Sequence, residues 1–535
     1  MFQETTPEIS RRRERLETLS PAKRALLLKA LQKEALLSGK LEVIARRPEQ
    51  NTAPVSFAQQ RLLFIDHLFP GTPSYNIPAG VRLRGPLRAS VLERCFQEEV
   101  NRHEALRTVF GFVNGEPVQQ ILPAASVRLP LVDLSVLPDD QCESAARELA
   151  RREARQQFLL DRGPLVRLSL LRLSEDDHIA LLTMHHIISD AWSIDLFISE
   201  LASLYEALTT EKSLSLPELP IQYGDYAYWQ MQRPQETLFN TQLDYWKKHL
   251  QGVTSIPRLT TDWPRPATQT FNGAQQPLGF DKELLEQVQG LGHRTGTTPF
   301  IILLAVLKIV LHIFTGQTDI VVGTPVNNRQ RVELEAVIGL FVNTLVLRTD
   351  LSGNLTFGRL IARVRDVVLG AHANQELPFE TVVKTLQVER DLGQTPLFGV
   401  WFLFQVAPET RQMSNLTLTG FPVDHGITHY DLRLNLLESS KGISGTIEYN
   451  TDLFRGQTIN RLASQFQLLL SLATSSPEKT LNELIEALRE VEAARKLAQQ
   501  SEQRQAQLSR LKNVNRRVIV VSSSSPNQSG AETEI

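Results

Sequence analysis

The segment "PFIILLAVLKIVLHIF", Pro299 to Phe314, is apolar almost all round and leaves the chain few ways to fold. A helix of that kind must lie in a membrane or deep in a protein core. A membrane span needs ~20 apolar residues, and this shorter run also carries Lys308 and His312. Thr298 at the cap, Pro299 at the first helical position and Gly316 just past the end bound it as a helix. It is expected in a core. At 535 residues the chain exceeds the ~250–300 at which single cores stop growing, so two large lobes are expected.

Composition excludes more than it selects. With 42% hydrophobic and 22% charged residues and a formal net charge of -2, nothing favours a polyanionic partner, and no nucleic acid is expected. Cys95 and Cys142 are too few for a disulfide framework and lack the spacing of a zinc site, so no metal is expected and a reducing cytoplasm fits best. The charged start "MFQETTPEISRRRERLETLS" has no apolar core of the secretory kind, so neither export nor a membrane partner is expected.

Residues 8–47 read as a weakly amphipathic helical region with a leucine stripe in "LSPAKRALLLKALQKEALL". From Val55 strand and helix signals alternate without a short repeat. One arrangement occurs twice. "LRASVLERCFQEEVNRHEALR" precedes strands leading to "HIALLTMHH", and "DKELLEQVQGLGHRTGTTPF" with the apolar helix precedes the strand "DIVVGTPV". The expected division is therefore a linker or docking region over 1–50, an N-terminal α/β lobe over 51–230, a C-terminal α/β lobe over 231–476, and a helix with a tail over 477–535 that could also dock. Thr480 and Glu483 form a capping box for that last helix, which carries Leu484, Leu488, Val491 and Leu497 at near-helical spacing. The Ser-rich end beyond it cannot bury enough apolar surface to order itself.

Chemistry concentrates in "TMHHIISDAWS", residues 183–193. "HIALLTMH" is apolar enough for a buried strand, and "SIDLFISELASLYEAL" places Ile194, Phe197, Ile198, Leu201 and Tyr205 on one helical face. His185 and His186 thus end a strand, where successive side chains point to opposite faces, and only one can face a given cavity. A buried histidine by itself is more often a satisfied core residue. Asp190 changes the odds, because a carboxylate across a tight strand-to-helix turn can order the backbone or pair with a buried arginine. A histidine titrating near neutrality is also suited to taking a proton.

"HHIISDAWS" resembles the HHxxxDG signature of the condensation domains of nonribosomal peptide synthetases. "SFAQQRLLFID", "RHEALRTVF", "YGDYAYW", "IGLFVNTLVLR", "NQELPFE" and "RDLGQTPLF" resemble that family's further motifs, in order. "GTPSYNIP" and "YGDYAYWQ" resemble the subtype accepting an L-configured donor, and His185 with His186 excludes the heterocyclising subtype, which has aspartates there. The resemblance implies two chloramphenicol-acetyltransferase-like lobes in a V-shaped pseudodimer with a central tunnel. Donor acyl group and acceptor amine would arrive on phosphopantetheine arms of separate peptidyl carrier proteins, with no cofactor bound by this chain.

By the same resemblance His186 is the catalytic histidine, Asp190 is architectural through a salt bridge to Arg329, His185 orients the turn, and Asn343 lies near the tunnel. No adenylation signature or "GGxS"-type serine is found, so a free-standing monomer served by carriers on other chains is expected. Two rival readings stand beside this one: an acyltransferase passing the acyl group to a free amine or alcohol, and a non-catalytic recruitment module of the same fold. Ala191 stands where the motif has glycine, whose two physical reasons are a positive φ or close approach by another group.

Overall fold

The computed structural model describes residues 43–518 apart from 125, 211–215, 234, 254–258, 389–392 and 408–409. The leucine-striped segment, save residues 43–47, and the Ser-rich end from 519 lie outside the described residues.

The N-terminal half runs β1 (Thr52–Pro54), α1 (Phe57–Leu68), β2 (Asn76–Arg84), α2 (Ala89–Arg102), β3 (Thr108–Val113), β4 (Glu116–Ile121), β5 (Leu131–Asp133), α3 (Asp139–Arg155), β6 (Val166–Ser174), β7 (Asp177–His185), α4 (Ala191–Thr210), α5 (Tyr223–Gln232) and α6 (Gln235–His249). The C-terminal half continues with β8 (Gly273–Phe280), α7 (Lys282–Thr295), α8 (Pro299–Thr315), β9 (Asp319–Val326), β10 (Asn343–Asp350), α9 (Phe357–Ala373), α10 (Phe379–Thr385), β11 (Val400–Val406), β12 (Arg411–Met413), β13 (Leu416–Phe421), β14 (Leu432–Ser439), β15 (Gly442–Asn450), α11 (Gly456–Ser475) and α12 (Leu481–Val518).

Each half centres on a six-stranded mixed sheet, ordered β12-β13-β2-β7-β6-β5 in the N-terminal lobe and β10-β9-β11-β14-β15-β8 in the C-terminal lobe; β1-β4-β3 form a smaller sheet. Strand β7 is central, with β2 and β6 antiparallel on either side, and it is buried from His178 to His185. That burial on both faces explains why its sequence is a continuous apolar run rather than an alternation.

The apolar helix α8 lies in the C-terminal core, buried without interruption from Ile301 to Leu311. Gly316 ends it in the left-handed conformation, and Pro299 opens it, but Thr298 makes no side-chain capping bond. Lys308 is accommodated because its ammonium donates to the carbonyls of Leu347 (2.6 Å) and Ile320 (3.3 Å), while burial pushes its pKa down to about 7. Among the described residues no single helix is long and apolar enough to cross a membrane. At the start of α12 Thr480 and Glu483 cap each other's backbone, and Leu481, Leu484, Ile485 and Leu488 pack into the lobe. Leu497, expected on the same stripe, is 68% exposed, because the helix has by then run past the lobe's surface.

Two segments of the C-terminal half cross into the N-terminal one. Residues 411–421 leave the C-terminal half and add two strands to the N-terminal sheet, β13 paired with β2 and β12 with β13. Met413, Leu416 and Leu418 then join the N-terminal core, as do Leu334, Val337, Ile338, Leu340 and Phe341 from the loop between β9 and β10. A boundary drawn near residue 230 therefore gives the C-terminal lobe two segments that close the N-terminal one.

Candidate active site

Strand β7 ends at His185, and a single 3-10 turn, His186–Ile188, carries the chain to α4. The turn is held from inside. His185 Nδ1 accepts from the backbone N–H of Ile187 (3.2 Å) and Ser189 Oγ donates to the carbonyl of His185 (3.2 Å). His185 is buried with its ring edge-on to Phe158, and burial lowers its pKa to about 3, so it is neutral and acts only as an acceptor at Nδ1.

His186 is half-buried, and its Nδ1 lies 2.7 Å from the carbonyl oxygen of Ser189. A carbonyl only accepts, so Nδ1 carries the hydrogen and Nε2 keeps a free lone pair in the neutral ring. Burial holds this pKa below 6.5, against the opposing pull of the Ser189 carbonyl and Asp190. The imidazole is thus an oriented, neutral proton acceptor at neutral pH.

Asp190 sits at the N-terminus of α4, where free N–H groups want an oxygen. Its Oδ1 accepts from the Ser193 N–H (2.9 Å) and its Oδ2 from the Phe341 N–H (3.0 Å) across the joint between the halves. Arg329 Nη2 lies 3.2 Å from Asp190 Oδ1, both side chains being almost wholly buried. The same guanidinium donates through Nη1 to the carbonyls of Leu334 and Val337 and stacks 4.0 Å from the Phe341 ring centroid. Ser193 Oγ completes the hub by accepting from Arg329 Nη2 (2.9 Å) and the Gly339 N–H (3.1 Å). A buried ion pair is expensive unless its remaining donors and acceptors are satisfied, and here the two residues knit α4 to the loop over 334–341.

Gly339 is required there by contact rather than by φ, since a Cβ would meet Tyr223 Cδ2 at 1.9 Å. The Tyr223 hydroxyl donates to the Leu340 carbonyl (2.7 Å) and so receives the hydrogen of Ser56 Oγ, 2.8 Å away, which ties the cap of α1 and the first residue of α5 to the same loop. Asn343 is spent on backbone. Its Nδ2 donates to the carbonyls of Gln375 and Leu377 (2.8 Å each), and its Oδ1 accepts from Thr344 (2.9 Å) and Phe379 (3.1 Å), so it shapes the segment leading into α10.

That segment reaches the histidine's surroundings. Arg61 on α1 pairs with Glu380 (3.3 Å) and is close enough to His186 to push its pKa down further. His429 donates to the Ser74 carbonyl (2.6 Å) and packs at a tilt of 34° against Tyr75, 4.8 Å between centroids, while Tyr430 stacks on Trp401 at 4.7 Å. Arg61, Tyr75 and Glu380 lie within family-like motifs, but no local pattern sets them apart from their neighbours there. His429 and Tyr430 carry no local signal, because nothing in "GITHYDL" shows that it returns to strand β2's neighbourhood. Ala191 is exposed at the first position of α4 and is absent from the residues with positive φ, so the first reason for glycine does not apply.

The family model described as "Condensation domain" matches residues 49–495. The chain is 42% identical over 440 residues to a linear gramicidin synthase of Brevibacillus parabrevis, covering 82% of this chain and 6% of that protein. It thus spans under a tenth of the length of that relative. Among solved structures it is similar to the X-domain in complex with OxyB from teicoplanin biosynthesis (TM-score 0.74, 27% identity, 83% of this chain and 98% of that one). It also shares the fold of the first condensation domain of the calcium-dependent antibiotic synthetase (TM-score 0.70, 23% identity, 81% and 98%).

Proposed function

The chain belongs to the condensation-domain family, and from that premise we propose that it forms an amide bond by joining a carrier-bound acyl or peptidyl thioester to a carrier-bound aminoacyl amine at His186. The observation that carries this reading is the fixed tautomer, with Nδ1–H committed to the Ser189 carbonyl and the Nε2 lone pair free. A base with a pKa below 6.5 cannot efficiently deprotonate an α-ammonium, whose pKa is ~7.7–8.0. It can accept a hydrogen bond from the neutral amine and take the far more acidic proton that nitrogen carries once it has attacked the thioester carbon. The C–N bond forms, the C–S bond breaks, and the proton leaves with the departing thiolate of the donor arm. Such general-base help contributes ~10²–10⁴-fold; holding two tethered reactants together supplies effective molarities of up to ~10⁵–10⁸ M.

In this reading the lobes lie as a V around a tunnel, Asp190 and Arg329 hold its joint, His185 stiffens the turn and Asn343 shapes the wall through its backbone bonds. The likeness of "GTPSYNIP" and "YGDYAYWQ" to the L-donor subtype supports an L-configured donor. The test is a reaction in trans with loaded donor and acceptor carriers, read by intact mass. Product on the acceptor arm, formed ~10²–10⁴-fold more slowly with His186→Ala, is the expected result. Equal product on a free amine or alcohol favours the wider acyltransferase reading, and no product with any loaded pair favours recruitment.

A further inference from the structure

The last turn of α2 and the middle of α4 enclose three side chains that the chemistry at His186 does not use. Glu99 and His103 stand one helical turn apart, where i and i+4 side chains share a face, and Glu200 meets them from α4. One ligand atom from each lies within 4.8 Å of the others. His103 Nε2 is 2.7 Å from Glu200 Oε2 and 3.4 Å from Glu99 Oε2, and Arg102 Nε is 3.1 Å from Glu200 Oε2. Glu99 is 0% exposed, His103 1% and Glu200 8%.

The Glu99 carboxyl is the anomaly. Both of its oxygens are buried without a hydrogen-bond partner, and the carboxylate of Glu200 lies close by. Buried in this way, neither oxygen gains a bond to offset the water it has lost. A divalent cation between the three residues would bond the carboxylate and offset the charge of Glu200.

We propose that Glu99, His103 and Glu200 supply three ligands of a site for a divalent transition metal, with zinc the best fit and a water in its fourth position. Around a tetrahedral zinc with ligands at ~2.0–2.1 Å, neighbouring donors sit about 3.3 Å apart. The His103–Glu99 spacing has that value already, and the His103–Glu200 contact needs to open by roughly 0.6 Å. An imidazole with only two carboxylates suits a transition metal rather than calcium or magnesium, which need more oxygen ligands. The metal would pin the end of α2 to α4, the helix whose first turn carries Asp190 and Ser193.

The test uses the full chain without a histidine tag, produced with zinc and purified without chelator. Elemental analysis is expected to find about one more zinc per chain in the wild type than in the isosteric Glu99→Gln variant, since metal on surface histidines is common to both. Zinc added to chelator-treated protein should raise the Tm of the wild type and leave the variant unmoved. Equal metal content, or no Tm response in the wild type, overturns the site. Should the variant fail to fold, cobalt added to chelator-treated wild type decides: intense visible bands of a four-coordinate site are expected, and the weak spectrum of hydrated cobalt overturns the proposal.

Discussion

The core of the C-terminal lobe takes every buried member from one stretch of chain, Trp246 to Leu488. The N-terminal core begins at Ile44, runs to Tyr226, and then needs Leu334 to Phe341 and Met413 to Leu418 from the other half. One lobe closes on itself; the other is closed by its partner. His186 belongs to the lobe that is closed from outside, at the turn where the borrowed loop docks through Asp190, Ser193 and Arg329. Changes at this joint should therefore disturb stability and turnover together, whereas the imidazole itself should be separable from folding.

The sharpest separation is His186→Ala, expected to lower the condensation rate by ~10²–10⁴-fold with little change in Tm, because a half-buried ring on a turn adds little to the core. A parallel loss of Tm would place the residue in the joint instead. Asp190→Ala is expected to cost ~3–5 kcal/mol in denaturant unfolding, since it leaves the buried Arg329 charge uncompensated. Arg329→Ala should cost a similar amount, and the double variant less than the sum; additive losses would show that the two do not act as a pair.

Gly339→Ala is expected to destabilise by ~1–3 kcal/mol through displacement of Tyr223, with the N-terminal lobe losing hydrogen-exchange protection before the C-terminal lobe. Uniform loss would erase the distinction between the lobes.

Acid supplies a test of intermediate size. His185 is lowered to about 3 and His249 to about 4, so between pH 6.5 and those values the unfolded chain binds protons that the native one does not. Stability is then fully present above pH 6.5 and is lost as pH falls below it, by up to ~1.4 kcal/mol per pH unit for each such histidine. The acid limb of the condensation rate should have its midpoint below 6.5, following His186; a midpoint above that value would contradict the buried, neutral imidazole. The smallest effect belongs to Ala191→Gly. With no positive φ to relieve, it should change the rate by less than about tenfold, equivalent to ~1.4 kcal/mol in the barrier.

Much of this was legible in the residues because it is local. The apolar run to Phe314, bounded by Pro299 and Gly316, specifies α8 whatever surrounds it, and "DIVVGTPV" coincides with β9. The capping pair Thr480 and Glu483 announces α12 over a span of four residues. The strand-turn-helix of 177–210 was readable from its apolar run and helical face, with Asp190 recognisable as a carboxylate in need of a partner.

What the chain could not announce is long-range. Arg329 and Asp190 are 139 positions apart, and Tyr430 reaches the surroundings of Arg61 from the loop before β14 in the other half. The short hairpin β12–β13 has no feature that distinguishes an edge of its own lobe's sheet from an edge of the other's. Glu99 and His103 share a helical face by spacing alone, but the arrival of Glu200 opposite them depends on how α2 and α4 cross. Sequence by itself determined the elements, their ends and the kinds of side chain available, because hydrogen bonding and periodic burial act over a few residues. Only the tertiary structure decided which of them meet, because side-chain packing and charge pairing select neighbours by position in space and are blind to distance along the chain.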